Sequence, residues 1–253
     1  MTALIETRHV SKAYGAFRAL EDVSIGVHEH EVLSIVGPNG AGKTTLVNLL
    51  TGLTVPSAGE VFFMGRSIAG IGPTELADRG VARTFQLIQI FPKLTVGETI
   101  ATAVISRQRK RWRMLSRLAK DDAIESRVRA VAQAFGLADR LAARSETLSQ
   151  GEKKLIDVAS ALALEPQVIL LDEPTSGVST ADKHRIMRTL IAAARQAGVK
   201  AILLVEHDMD LVAAYSDRVI ALAEGRVLAN LPPSAFFADP TLIETVVGKR
   251  RTR

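Results

Sequence analysis

A glycine-rich stretch early in the chain has the composition and spacing needed to bind phosphate groups. It fits the pattern GxxxxGK followed by Ser or Thr in full. Glycines let backbone amides turn towards phosphate oxygens, and a helix that begins after such a loop adds the positive end of its dipole. We therefore expect Lys43 to contact the terminal phosphates of a nucleotide and the Thr44 hydroxyl to bind Mg²⁺. The residues of the loop are Gly37, Pro38, Asn39, Gly40, Ala41, Gly42, Lys43 and Thr44.

Two adjacent carboxylates, Asp172 and Glu173, follow the apolar run Val168–Leu171. Carboxylate oxygens are ligands that Mg²⁺ prefers, so we expect Asp172 to hold the ion directly or through water. Glu173 is then placed to polarise an attacking water molecule. Adjacent carboxylates at the end of a strand also occur as helix caps or solvated turns. The functional interpretation of this pair therefore depends on the phosphate loop.

The elements that must position these residues alternate between strands and helices. Val32–Val36 predicts a buried strand that enters the loop, and a helix follows from Lys43 to about Leu50. Val168–Leu171 and Ala201–Val205 predict two more buried strands, each followed by polar residues and a helical pattern. This alternation predicts an α/β fold, here a phosphate-loop NTPase core with a mostly parallel sheet.

Two other regions depart from this alternation. Ile5–Val10, Val23–Val27 and Glu60–Met64 predict strands with little helix between them, which favours a small antiparallel β portion. The pattern is helical from residue 94 to about 163, where Thr95 and Glu98 form a potential capping box. We expect one domain over residues 1–253, with an α/β core at 1–93 and 164–231 and an inserted helical lobe at 94–163. Residues 232–253 form a short C-terminal element.

Composition excludes some classes of protein and suggests an anionic partner. The chain of 253 residues has no cysteine, and it contains no apolar run of the roughly 18 residues that a membrane-spanning helix requires. The net charge of +5 suggests a nucleotide, nucleic acid or anionic membrane surface as a partner. A solvated helix face and a frayed tail remain an equal alternative for the basic clusters. These clusters contain Arg107, Arg109, Lys110, Arg111, Arg113 and Arg117, and Lys249, Arg250, Arg251 and Arg253.

The segment Leu148–Glu152 identifies the kind of NTPase. It predicts a plain capping box between Ser149 and Glu152, and it also resembles the LSGGQ signature of ABC ATPases. The resemblance covers nearly the whole chain, because further motifs agree with the family in order and spacing. These are Tyr14, Gln86 after Arg83, the turn Ser176–Ser179, and His207 after a predicted strand.

The resemblance implies a role for each of these residues. Tyr14 would stack on adenine, and His207 would hydrogen-bond the γ-phosphate of ATP. Gln86 would contact Mg²⁺ or the attacking water and report the state of the nucleotide to a membrane partner. Two ATP molecules would lie between two subunits arranged head to tail, which are identical or paralogous. The nucleotide would therefore contact Thr45 and the rest of the phosphate loop of one subunit, and Ser149 and Gly151 of the other.

The chain departs from the family pattern at two positions. Gln150 stands in the signature where the family usually has glycine, so the fit around the phosphate can differ. Ser179 replaces the usual aspartate in the turn after the acidic strand, which weakens any expectation about communication between the two ATP sites.

A finer resemblance concerns the transported solute. Four segments look like the ATPases of branched-chain amino acid uptake systems, namely Arg83–Gln86, Phe91–Val96, Glu206–Met209 and Pro240–Gly248. Urea/amide importers and lipopolysaccharide-export ATPases share much of this pattern. The resemblance implies transmembrane permease subunits, an extracytoplasmic solute-binding protein and a peripheral position at the cytoplasmic face of the inner membrane. A nucleic-acid ABC ATPase is disfavoured because the chain has one ATPase unit and lacks cysteine and a heptad run. The intact Lys43, Asp172 and Glu173 oppose a degraded regulatory subunit.

Overall fold

A computed structural model describes residues 3–84, 93–107 and 121–247. The chain divides into two compact units, of which the first comprises residues 1–76 and 200–253 and the second comprises residues 77–199. These limits differ from the boundaries expected at residues 93 and 163, because strands and loops on both sides of the helical region belong to the second unit. The predicted limits of the inserted lobe stay a prediction.

The elements follow one another in chain order. Those before the second unit are β1 Ile5–Tyr14, β2 Phe17–Val27, β3 Val32–Val36, α1 Lys43–Leu50, β4 Ala58–Phe63 and β5 Arg66–Ser67. Helix α2, Pro73–Arg79, crosses the limit between the units. The second unit continues with β6 Val81–Arg83, α3 Val96–Arg107, α4 Asp122–Ala134, α5 Gln150–Leu162, β7 Val168–Asp172 and α6 Thr180–Gln196. The chain returns to the first unit with β8 Ala201–Val205, α7 Met209–Tyr215, β9 Arg218–Ala223, β10 Arg226–Leu231, α8 Pro233–Phe237 and α9 Pro240–Val247.

A mostly parallel sheet carries the phosphate loop in the first unit. Strand β3 lies between β8 and β9 and is parallel to both, while β10 pairs antiparallel with β9 at the edge. Every residue of β3 and of β8 is buried, which explains why their sequences are apolar, except at Ser34, rather than alternating. Helix α1 buries Leu46, Val47, Leu49 and Leu50. The first unit thus holds the strand–loop–helix arrangement that phosphate binding requires.

The predicted antiparallel portion is also present in the first unit. Its strands lie in the order β2-β1-β4-β5, and Ile5 pairs with Val27 on one side and with Phe63 on the other. Strands β1 and β2 are longer than expected, because they continue to a tight hairpin at Tyr14 and Phe17.

The second unit combines a parallel strand pair with helices. Val81 of β6 pairs with Val168 of β7. The expected capping box begins α3: the Thr95 amide donates to a Glu98 carboxylate oxygen at 2.8 Å, and the Glu98 amide donates to the Thr95 hydroxyl at 3.1 Å. The α/β class with a mostly parallel sheet is confirmed.

Four strands of the described residues were not predicted, namely β5, β6, β9 and β10, and β5 has only two residues. Strand β6 has only three residues, and in β10 only alternate residues are partly buried. Neither β6 nor β10 therefore has a strong apolar pattern. Within the described part of the chain, none of the helices combines the length and the apolarity that crossing a membrane would need.

Candidate functional site

The glycines of the phosphate loop are required by close backbone contacts inside the first unit. A Cβ atom on Gly37, which has φ of 153°, would lie 2.3 Å from the carbonyl oxygen of Leu222 on β9. A Cβ atom on Gly42, with φ of 101°, would lie 2.6 Å from the carbonyl oxygen of Ala19 on β2. Side chains at either position would push the loop away from the strands beneath it. The loop is therefore held as a fixed backbone cradle.

Lys43 and Thr44 occupy the start of helix α1 in positions suited to an anionic ligand. The Lys43 ammonium group donates to the carbonyl oxygens of Gly37 and Pro38, at 2.7 and 3.0 Å, and so lies over the loop. Gly42 precedes the helix and supplies no side-chain cap, and the first turn carries no acidic residue. Thr44 is exposed. The helix dipole and the lysine charge thus add at the loop.

His207 reaches the same edge of the sheet as the phosphate loop. Strands β3 and β8 are parallel neighbours, with Ile35 opposite Val205, and both lead at their carboxyl ends into functional candidates. The carboxylate of Glu206, which is 1% exposed, accepts a hydrogen bond from the His207 amide at 3.2 Å. This buried acceptor fixes the main chain, while His207 itself is exposed. Ligands of open α/β sheets bind at such an edge.

Tyr14 lies at the tip of the β1–β2 hairpin in the first unit. It is half exposed, at 50%, and the Lys12 ammonium lies 5.1 Å from the centre of its ring. Strand β2 leads away from this tip and passes through Ala19, whose carbonyl oxygen lies against Gly42 of the loop. The hairpin thus connects the aromatic ring to the phosphate cradle.

Asp172 ends strand β7 in the second unit and is held by a buried cation. Its carboxylate accepts a hydrogen bond from the Arg83 guanidinium at 2.7 Å, with side-chain exposures of 8% and 9%. The hydroxyl of Thr84 accepts from the Asp172 amide at 3.3 Å. Arg83 was noted in the sequence only as the start of a motif, and its spacing alone does not reveal this pairing.

Glu173 has a backbone conformation that is unusual for a residue with a side chain. Its φ is 47°, in the left-handed region, which costs a non-glycine residue about 1–3 kcal/mol. Residues under such strain concentrate at functional sites, since the surrounding structure must hold them in place. The surrounding structure must therefore hold Glu173 in this conformation.

The signature segment forms the start of helix α5 in the second unit. The hydroxyl of Ser149 accepts from the Glu152 amide at 3.2 Å, and a Glu152 carboxylate oxygen accepts from the Ser149 amide at 2.9 Å. The predicted capping box is therefore confirmed, and both Ser149 and Gln150 are exposed. Gly151 has a packing role, because a Cβ atom there would lie 2.9 Å from Ile186 on α6.

The predicted site residues divide between the two units. The loop through Thr45, together with Tyr14 and His207, belongs to the first unit, and Ser149, Gly151, Asp172 and Glu173 belong to the second. Gln86 lies outside the described residues, as do Gly248 and every member of the two basic clusters except Arg107. Arg107 has a structural partner in Glu165, 3.8 Å away.

Helix α5 carries a titratable pair that the sequence analysis missed. Burial raises the pKa of Asp157 from its ordinary 3.8 to about 7, and the nearby charge of Lys154 opposes this rise in part. The native protein therefore binds a proton that the unfolded chain releases between about pH 4 and 7. The free energy of unfolding consequently falls as the pH rises through this window.

Replacing Asp157 by Asn should remove this dependence. At pH 5 the native carboxyl and the amide are both neutral and only the unfolded carboxyl is ionised, so the difference in melting temperature between Asp157→Asn and the wild type should be smaller than at pH 8.5. At pH 8.5 the variant should be the more stable, by an amount on the order of a few kcal/mol at most. Thermal unfolding at both pH values measures the difference. A difference in melting temperature that is the same at pH 5 and pH 8.5 would contradict the raised pKa.

Each unit, taken by itself, carries donor groups of the kinds that bind nucleotides or hard cations. Hydroxyl and carboxylate oxygens, as on Thr44 and Asp172, are the ligands that Mg²⁺ takes in nucleotide sites. The backbone cradle beneath Gly37, with the Lys43 ammonium above it, fits phosphate oxygens.

Comparisons with known proteins agree on one family. The ABC transporter family profile matches residues 20–176. The hemin import ATP-binding protein HmuV of Thermobifida fusca is 38% identical over 241 residues, 95% of this chain and 81% of that protein. The branched-chain amino acid transport ATP-binding protein LivG of Salmonella typhimurium is 31% identical over 253 residues, 97% of this chain and 98% of that protein.

Two solved structures show the same likeness. The ADP conformation of an ATP-binding cassette of an ABC transporter has a TM-score of 0.86 and 28% identity, covering 98% of this chain and all of that one. A dimeric cassette in a post-hydrolysis state, bound to ADP and phosphate, has a TM-score of 0.75 and 26% identity. That match covers 90% of this chain and 98% of the solved one.

Proposed function

The chain belongs to the ABC transporter family, whose cassettes bind and hydrolyse ATP, and on that premise we propose that it powers an importer of branched-chain amino acids or related small amides. The observation that carries the ATPase part is the phosphate loop. Its glycines fit against neighbouring carbonyl groups, and Lys43 covers the cradle at the start of α1. This arrangement suits a triphosphate better than any uncharged ligand.

Within this proposal each unit supplies different groups to the reaction. In the first unit, the loop from Gly37 to Thr45 binds the phosphates, Tyr14 stacks on adenine and His207 hydrogen-bonds the γ-phosphate. In the second unit, Glu173 orients the attacking water and accepts its proton. Phosphoryl transfer needs charge neutralisation and a positioned nucleophile rather than a covalent intermediate. The family resemblance supports this division of roles.

The metal-binding part of the proposal rests on oxygen ligands. Thr44 and Asp172 would hold Mg²⁺, and Gln86 is proposed to join them on the basis of its motif alone. When bound, the ion neutralises negative charge on the phosphates. Arg83 would keep the Asp172 carboxylate in a fixed orientation for this task.

We also propose that the active form is a dimer, composed of this chain with a second copy or a paralogue. In this dimer Ser149 and Gly151 of each subunit face the nucleotide bound to the other subunit. The similarity to a dimeric cassette supports the proposal. Permease subunits and a solute-binding protein would complete the system at the cytoplasmic face of the membrane, with no nucleic-acid partner.

Branched-chain amino acids are preferred as the solute because LivG matches this chain over almost its whole length. Hemin is a second candidate, favoured by the higher identity to HmuV, although the match covers a smaller share of that protein. The shared motifs of urea/amide importers and of lipopolysaccharide-export ATPases leave those solutes as further alternatives.

Deleting the gene should abolish accumulation of one radiolabelled branched-chain amino acid, because no other subunit would drive its permease. Uptake should return when the wild-type gene is restored but not when the Lys43→Ala variant is supplied. The variant distinguishes loss of ATP hydrolysis from loss of the protein itself. Growth on hemin as the sole iron source, measured in the same strains, should be unaffected. Unchanged amino acid uptake with lost growth on hemin would favour the second candidate, and a defect in envelope lipid would favour export.

A further inference from the structure

Helix α5 contacts the main chain of Glu173 within the second unit. The Lys154 ammonium group donates to the carbonyl oxygen of Glu173 at 3.2 Å. The same oxygen accepts a hydrogen bond from the Ser176 amide at 3.1 Å, which closes the turn after the acidic strand. Lys154 is 3% exposed, so this cation lies among protein atoms rather than in water.

The conformation of Glu173 explains why this turn needs external support. Its φ of 47° is unfavourable for any residue with a Cβ atom. Pro174 follows it, and a residue before proline is restricted further, towards extended conformations. Local preferences would therefore rotate Glu173 out of its observed conformation and carry its carboxylate with it. Contacts to its carbonyl oxygen oppose that rotation.

We propose that Lys154 is a positioning residue for ATP hydrolysis, which holds the Glu173 turn so that the carboxylate is presented to the attacking water. The inference rests on the proposed role of Glu173. Lys154 acts through the main chain of that residue. Because Lys154 lies on the helix that begins after Ser149, the contact also links the signature to the glutamate of the same subunit.

The charge on Lys154 is the feature that a packing role leaves unexplained. Burying an ammonium group is costly unless it is hydrogen-bonded or paired, whereas methionine would fill similar space without that cost. Asp157, one turn further along α5, interacts electrostatically with Lys154 and offsets part of the cost when it is ionised. The structure thus supports a charged donor at this position, and the Glu173 carbonyl group is an observed acceptor of its hydrogen bond.

Lys154→Met tests the proposal because it keeps the length of the side chain and removes the donor. The kcat for ATP hydrolysis should fall about 10- to 100-fold, as expected for losing a charged hydrogen bond, while KM for ATP changes less than about twofold. Lys154→Arg should retain most of the activity, since it restores a cationic donor. Lys153→Met, which removes the neighbouring charge of the same helix, should have wild-type kcat. Melting temperatures of all variants are measured alongside.

Combining Lys154→Met with Glu173→Gln separates positioning from an independent effect. If Lys154 acts through Glu173, the double variant should be no slower than Glu173→Gln alone. If the kcat losses of the two single variants multiply in the double variant, the proposal is overturned. A normal kcat for Lys154→Met beside an impaired Glu173→Gln would also overturn it. A kcat that merely follows the fraction of folded protein would assign Lys154 a structural role and also overturn it. Normal hydrolysis by Glu173→Gln itself would instead remove the proposed role of Glu173, and this inference with it.

Discussion

Glu173→Gln should bind ATP like the wild type and hydrolyse it about 10²–10⁴-fold more slowly, the usual contribution of a general base. Glutamine has nearly the same shape, so the left-handed backbone at this position is no more strained than before. The amide cannot accept the proton of the attacking water, and ATP should therefore stay bound. Because we propose that ATP closes the dimer, gel filtration with MgATP should show a trapped dimer that ADP does not produce.

Glu165→Gln is a matched control for this experiment. Glu165 is also a glutamate of the second unit with a positive φ, 55°, but its exposed side chain pairs with Arg127 at 3.1 Å. Losing this carboxylate should leave kcat within about twofold, as expected for a surface ion pair worth about 0–1 kcal/mol to stability. Near-normal hydrolysis by Glu173→Gln would exclude Glu173 from the mechanism, whatever the control shows.

The strands and loops around the phosphate loop were predictable because their signals are local. The helix at Lys43–Leu50 coincides with its predicted limits, since the glycine-rich turn that ends at Gly42 and the apolar face of the helix are both local signals. Strand Ala201–Val205 likewise matches its prediction, because burial on both faces produces a continuous apolar run. Ser149 could be recognised as a cap for the same reason.

The contacts around the acidic pair were not predictable, because they join residues distant in sequence. Lys153 and Lys154 are chemically identical neighbours, and only the packing of α5 decides that Lys154 is buried beside the Glu173 carbonyl. Arg83 meets Asp172 across 89 positions of the chain, through the pairing of β6 with β7. The left-handed backbone of Glu173 has no signature in residue type, since glutamate gives no warning of it.

A mixture of two inactive variants should recover ATP-dependent dimerisation if the signature acts across the subunit interface. Lys43→Ala removes the cation over the phosphate loop and leaves the capping box of α5 unchanged. Ser149→Arg leaves the loop intact and places a bulky cation at the exposed start of α5. Two copies of the same variant would form only broken sites. Neither variant alone should therefore dimerise with MgATP or hydrolyse ATP.

In the mixed dimer the defects are redistributed between the sites. The Ser149→Arg subunit offers an intact phosphate loop and the Lys43→Ala subunit an intact signature, so one site is complete and the other doubly broken. Dimerisation is the safer measurement, because hydrolysis stays low if both sites must act together. Ser149→Asn is the matched control: asparagine caps helices as well as serine does, so it keeps the start of α5 without the bulk of arginine. If each subunit completed its own site, every site in the mixture would stay broken. Two different affinity tags confirm that heterodimers can form, and no recovery among tagged pairs would contradict a shared site.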